Sequence, residues 1–187
     1  PTMVYTLLDH PELDRTDLSS LHTLLYGASP MSPTRLVEGL ERIGPVFAQL
    51  YGQTEGYPVS FLKRSDHDVA QPDLFSSCGL PTSGSQVVLL DDDDQPVAPG
   101  GVGELCVRSR QVMDGNLNQP ELTAQRFLPD PFAAPGARMY RTGDLGRWRA
   151  DGSLEFLGRL DDQIKLRGLR IELGEIESVL REQPLIA

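Results

Sequence analysis

"LHTLLYGASPMSPTRLVEGLERIGPVFAQLYG", residues 21–52, decides the fold class. Its first part, residues 21–29, is a short apolar run closed by Gly27, the pattern of a strand buried inside a sheet. Ser32 then offers an N-cap and Pro33 a first helical residue. Leu36, Leu40 and Ile43 follow at helical spacing, and Gly44-Pro45 stops the helix. VFAQLYG, residues 46–52, is a second apolar run. Strand, helix and strand with both strands apolar imply a parallel βαβ unit. Ligands of such sheets gather at the carboxyl ends of the strands, where YGAS (26–29) and YGQTEG (51–56) lie.

Outward from this unit the pattern changes. After about Phe75 it reads as β: SQVVLL (85–90), VGELCVRS (102–109), then short strands in ARMYRTGD, GRWRADGS and LEFLGR, with Asp151-Gly152 at a tight turn. In VGELCVRS, Leu105 and Val107 alternate with Glu104, Cys106 and Arg108, which predicts a half-buried strand. Asp91 to Asp94 reads as a solvated hairpin tip. QIKLRGLRIE (163–172) is a strand pair, and a helix follows from Glu172 to Gln183 with Ile176, Val179 and Leu180 on one face. Pro1 opens on strand-like sequence. The fold class is therefore α/β: a parallel layer over 1–75, an antiparallel barrel-like part over 76–160, and a small α+β piece from 161.

A net charge of −10 argues against nucleic acid or an anionic membrane surface as the main partner. Cys78 and Cys106 lack metal-ligand spacing, and a reducing, cytoplasmic setting is the natural reading. No apolar run approaches the length of a membrane span. The chain begins at Pro1 without Met and ends at Ala187 without a tail, so it reads as a fragment of a longer protein.

Several groups around these strand ends suit a nucleotide, and each has a plainer reading. In YGQTEG, Gly52 lets the backbone turn sharply and approach a ligand. Tyr51 offers a flat face, Thr54 a hydroxyl and Glu55 a hard oxygen ligand; the plainer reading is a strand-end turn with a surface acid. YGASP (26–30) either admits a planar ring against bare backbone or merely turns. Asp144, after Gly143, is suited to a ribose, or else forms an Asx-turn. Arg159 bonds a ribose or phosphate, or pairs with a neighbouring acid. Lys165, between Ile164 and Leu166, is aimed by its alternation at a buried partner.

YGAS, YGQTEG, GELCVRS, YRTGD, GRLDDQIKLRG and RIELGEIE together resemble the adenylate-forming superfamily of acyl-CoA synthetases, luciferases and nonribosomal peptide synthetase adenylation domains. The matches occur in the family's order and cover essentially the whole chain. The resemblance implies that Gly27, Ala28, Ser29 and Gly52 line a nucleotide site with Tyr51 stacked on adenine, that Thr54 holds phosphate, and that Glu55 ligates Mg²⁺. It implies that Asp144 and Arg159 bind the ribose, and that Asp161 is the hinge to a C-terminal lid beginning there. Lys165 and Gly168 then lie on the lid face used for thioester formation. An acyl pocket is expected near Tyr26, Gly27, Leu50, Pro58 and Val59, uncharged and suited to an apolar or aryl acid.

The implied chemistry is activation of a carboxylic acid by ATP, then transfer to a phosphopantetheine thiol of a carrier protein or of coenzyme A. A non-catalytic nucleotide-binding or interaction module is the reading from another class. Residues 1–85 look like acyl-CoA synthetases, whereas peptide synthetases usually have Pro where Gln53 stands; from GELCVRS onward the chain looks like peptide synthetases. The family's phosphate-gripping loop would precede Pro1 and its adenylation lysine would follow Ala187, so the isolated chain is expected to bind nucleotide poorly and catalyse nothing unaided.

Overall fold

The structure, a computed structural model, describes residues 1–166 and 169–183. The βαβ unit is present as read: β1 (Leu24–Gly27), α2 (Pro33–Arg42) and β2 (Phe47–Gln53), with β1 and β2 parallel. Leu36 and Phe47 are fully buried between helix and sheet, and each such side chain is worth about 1.5–3 kcal/mol. Pro1 does not open on a strand. Thr2–Leu8 is a helix, α1, because Val4 and Leu8, four residues apart, both bury in the core under α2. Its last carbonyls are satisfied from α2: Arg42 donates to Leu8 O at 2.6 Å and Arg35 to Tyr5 O at 3.2 Å.

β2 turns through Thr54-Glu55 into β3 (Gly56–Leu62), its antiparallel partner. After two short 3₁₀ turns come β4 (Ser77–Pro81) and β5 (Ser85–Leu90), then β6 (Val102–Ser109). α3 (Pro120–Arg126) leads into β7 (Phe127–Pro129), β8 (Arg138–Trp148) and β9 (Leu154–Arg159). One sheet holds them in the order β1-β2-β3-β4-β9-β8-β6-β5, with β7 on β8. β4 is the joint: Pro81 and Leu80 pair with β3, while Ser77 and Gly79 pair with β9. A separate hairpin of β10 (Ile164–Leu166) and β11 (Leu169–Ile171) precedes α4 (Leu173–Arg181).

β6 is not half-buried. It lies between β5 and β8, and Leu105 joins one core cluster while Cys106 joins another on the opposite face. Glu104 is buried too, with Arg141 at 2.5 Å and the Gly143 N–H at 3.0 Å.

Under the parallel layer, His67 is buried, with Nε2 3.0 Å from the Tyr26 hydroxyl and Nδ1 2.8 Å from Lys63 O. Burial lowers its pKa against the opposing pull of the Lys63 carbonyl and Asp66. Above the ordinary imidazole range both folded and unfolded states are neutral. As the pH falls through that range the unfolded chain takes the proton first, so stability declines until the folded pKa is passed. Melting points at about pH 7.5 and about pH 5.5 should therefore differ more in the native chain than in His67→Gln. An equal drop in both would remove His67 from the acid response.

Candidate functional site

The carboxyl ends of β1 and β2 emerge side by side, Gly27 against Leu50. A cavity of about 200 Å³ opens there, with room for a planar base, walled by Ala28, Ser29, Leu50, Tyr51 and Gly52. Lys165 reaches its rim from β10. Ala28 has φ +68°, a left-handed conformation uncommon without glycine, held at the cavity wall. Gly52 is not where the backbone turns. It lies inside β2, and the turn comes at Thr54-Glu55. A Cβ on Gly52 would sit 2.6 Å from the Tyr57 ring, so what the position requires is space.

Asp144 and Arg159 lie outside the cavity wall, behind Tyr51, and a bulge sets Asp144 there. Glu104 opposes Leu145 and Cys106 opposes Arg141, so three residues of β8, 142–144, face Leu105 alone. Such bulges bend a strand and re-aim a side chain. Asp144 is 1% exposed, and its carboxylate collects three donors. Tyr51 Oη donates to Oδ2 at 2.5 Å, Gln53 Nε2 to Oδ2 at 2.7 Å, and Arg159 Nη1 to Oδ1 at 2.8 Å. Burial, and then Asp144, push the Tyr51 phenol far above its ordinary pKa, so it stays a donor. Each carboxylate oxygen accepts about two hydrogen bonds, so Oδ2 is saturated and Oδ1 keeps one unused acceptor position.

Arg159 spans two acids. Its guanidinium also meets Asp161 at 2.5 Å, and Arg126 of α3 reaches Asp161 at 3.2 Å. Burial alone would lower the Arg159 pKa, but Asp161 and Asp144 hold it above its ordinary value. Thr54 is exposed at the β2–β3 turn and Glu55 beside it pairs with Arg170 of β11 at 2.9 Å. Lys165 is exposed as a residue, yet it lines the cavity and is partly desolvated there. That desolvation first, and then Arg159 and Arg170 against the pull of Asp144, lower its pKa.

Of the residues expected in an acyl pocket, Leu50 lines this cavity; Tyr26, Gly27, Pro58 and Val59 lie outside its wall. Tyr26 faces the core beneath, bonded to His67, and Val59 is buried in β3. Gly168 lies outside the described residues. Sequence reasoning missed Met31, Phe75, Cys78 and Phe156, which also line the cavity from separate parts of the chain. Burial raises the Cys78 thiol to about 12, with Asp144 adding to it, so the thiol is inert there.

Among the described residues no cluster of three or more His, Cys, Asp or Glu is set to hold a metal by itself. Glu55 at the turn fits a hard cation that takes most of its other ligands from phosphate and water, as Mg²⁺ does. Among the same residues no helix is long and apolar enough to cross a membrane.

A family profile described as AMP-binding enzyme matches residues 1–117. The chain is 40% identical, over its whole length, to a medium/long-chain-fatty-acid–CoA ligase, FadD8, of Mycobacterium tuberculosis, of which it covers 31%. It is 43% identical over its whole length to a dimodular nonribosomal peptide synthase of Bacillus subtilis, of which it covers 8%. The solved amide bond synthetase McbA of Marinactinospora thermotolerans matches 98% of the chain at TM-score 0.87 and 36% identity, the match covering 35% of that protein. The chain thus spans about a third of the length of two of these relatives and under a tenth of the other.

Proposed function

The chain belongs to the AMP-binding enzymes, and from that premise we infer that it carries the nucleotide-binding part of an adenylate-forming ligase of the peptide synthetase type. In this reading a carboxylic acid attacks the α-phosphorus of ATP, pyrophosphate leaves, and a carrier-protein phosphopantetheine thiol then displaces AMP from the acyl- or aminoacyl-adenylate. The observation that carries it is the cavity at the β1 and β2 ends, with Lys165 in its lining and Tyr51 in its wall, where the Tyr51 hydroxyl joins it to the Asp144–Arg159 pair behind. Ala28, Ser29, Tyr51 and Gly52 take the base, Thr54 a phosphate, and Asp144 with Arg159 the ribose. Glu55 would hold Mg²⁺, which supplies charge screening between two anions. Residues 1–160 then close a large domain, and Asp161 begins the hinge to a lid.

A second reading, transfer of a fatty or aryl acid to coenzyme A, is favoured by the uncharged lining residues Met31, Phe75 and Phe156 and by the likeness to the fatty-acid ligase. ATP–pyrophosphate exchange by the full-length protein, against amino acids, aryl acids and fatty acids, tests both. Exchange driven by amino acids supports the first and by fatty or aryl acids the second. No exchange from a folded protein that binds ATP would sink adenylation altogether and leave a non-catalytic module.

Lys165 is proposed to serve the thiol step. Lys165→Ala should slow thioester formation by about 100-fold, the usual effect of removing a donor to developing charge, while exchange stays near native. Equal loss of both in single-turnover assays would refute that role.

A further inference from the structure

Gln53, the last residue of β2, is 8% exposed, and its amide is fully committed. Nε2 gives one proton to Asp144 Oδ2 at 2.7 Å and the other to Thr142 O at 3.0 Å. Oε1 accepts from the Tyr140 hydroxyl at 2.6 Å. Turned over, the amide would set its oxygen against a carboxylate and a carbonyl, neither of which can donate, so one orientation is fixed. Farther along, Arg170 pairs with Glu55 at 2.9 Å. Gln53 is therefore the link that ties Asp144 to Thr142 and Tyr140 of β8.

We propose that Gln53 is a positioning residue for Asp144: it saturates Oδ2 jointly with Tyr51, so that the remaining acceptor site, on Oδ1, is presented to a sugar hydroxyl. The inference rests on the reading of Asp144 as the ribose acceptor. The geometry gives Gln53 a part that Tyr51 cannot take alone. Tyr51 is also a cavity wall, and a ring that shifts against a bound base carries its hydroxyl with it. The Gln53 amide is tied at both ends to buried β8 groups, Thr142 and Tyr140, and keeps Oδ2 occupied while Tyr51 adjusts. Freed from that donor, the carboxylate is no longer held to one face.

Gln53→Glu keeps length and the acceptor for Tyr140 but removes the donor and sets a second carboxylate beside Asp144. Calorimetric titration of AMP and of 2′,3′-dideoxy-AMP into the full-length protein separates positioning from general damage. The native protein should prefer AMP. The variant should bind AMP about tenfold more weakly, the effect of losing one hydrogen bond to a charged group, with dideoxy-AMP little changed, so the preference collapses. Tyr140→Phe, which unties Oε1 without adding charge, should erode the preference in the same direction by a smaller factor, about threefold. If Gln53→Glu does not fold, Tyr140→Phe decides. Folded variants that keep the native AMP preference overturn the proposal while sparing the ribose reading. A native full-length protein that binds both nucleotides equally, or neither, overturns the ribose reading and the proposal with it.

Discussion

Replacing Asp144 by alanine should abolish measurable AMP binding and lower the melting temperature by about 10 °C, from a stability loss of about 3–5 kcal/mol. The size follows from what the carboxylate holds. Arg159 has only 11% of its side chain exposed, and it would keep Asp161 while losing its inner partner. Tyr51 and Gln53 would point their donors into a space with no acceptor, and each orphaned buried group costs about 1–3 kcal/mol. Asp144→Asn refines the test. It preserves shape but offers one acceptor oxygen and one donor nitrogen to three donors, so it should recover part of the stability and little of the binding. Thermal unfolding and AMP titration check both. A variant melting within about 2 °C of native and binding AMP unchanged would take Asp144 out of both roles.

The second large effect is expected at Gly79, in the joint strand β4. Its φ is +77°, and a Cβ there would lie 2.0 Å from Phe61 O and 2.3 Å from Leu62 N, both backbone atoms of β3. Backbone in a sheet cannot step aside as a side-chain tip can, so Gly79→Ala must open the β3–β4 pairing. We expect a loss above about 3 kcal/mol, or failure to fold. Gly100→Ala is the control: φ is +81° there as well, but a Cβ meets nothing within 4 Å, so only the left-handed strain of about 1–2 kcal/mol remains. Denaturant unfolding of the two variants separates strain from space. Equal losses would mean that the approach of β3 is not what Gly79 serves.

The parallel unit was legible because its signals are local and redundant: apolar runs, Pro33 at a helix start, Gly44-Pro45 at its end. The β10–β11 hairpin and α4 were legible for the same reason. α1 was not, since TMVYTLL carries β-branched residues and becomes a helix only because Val4 and Leu8 find the core. β3 hid behind Pro58, which argues against a strand. The ladder tolerates it because three residues, Tyr57 to Val59, bulge opposite Gly52. For VGELCVRS, alternation foretold one wet face, and burial on both sides depends on strands far along the chain. The resemblance named Tyr51, Asp144 and Arg159, and folding puts them in one hydrogen-bonded group. It could not name Gln53, Phe75 or Phe156, whose roles exist only once distant strands meet.

The β10–β11 hairpin shows solvent much of Ile164, Leu166 and Leu169 and reaches β2–β3 through the Glu55–Arg170 pair. Among the described residues its one ion pair to the sheet is thus coulombic where the rest of the fold is held by burial, and the two respond oppositely to ionic strength. Screening shortens to about 3 Å in molar salt, while excluded salts such as sulfate strengthen burial. Chloride and sulfate at equal ionic strength should therefore loosen the hairpin alike, yet differ in how firmly they hold the sheet beneath it.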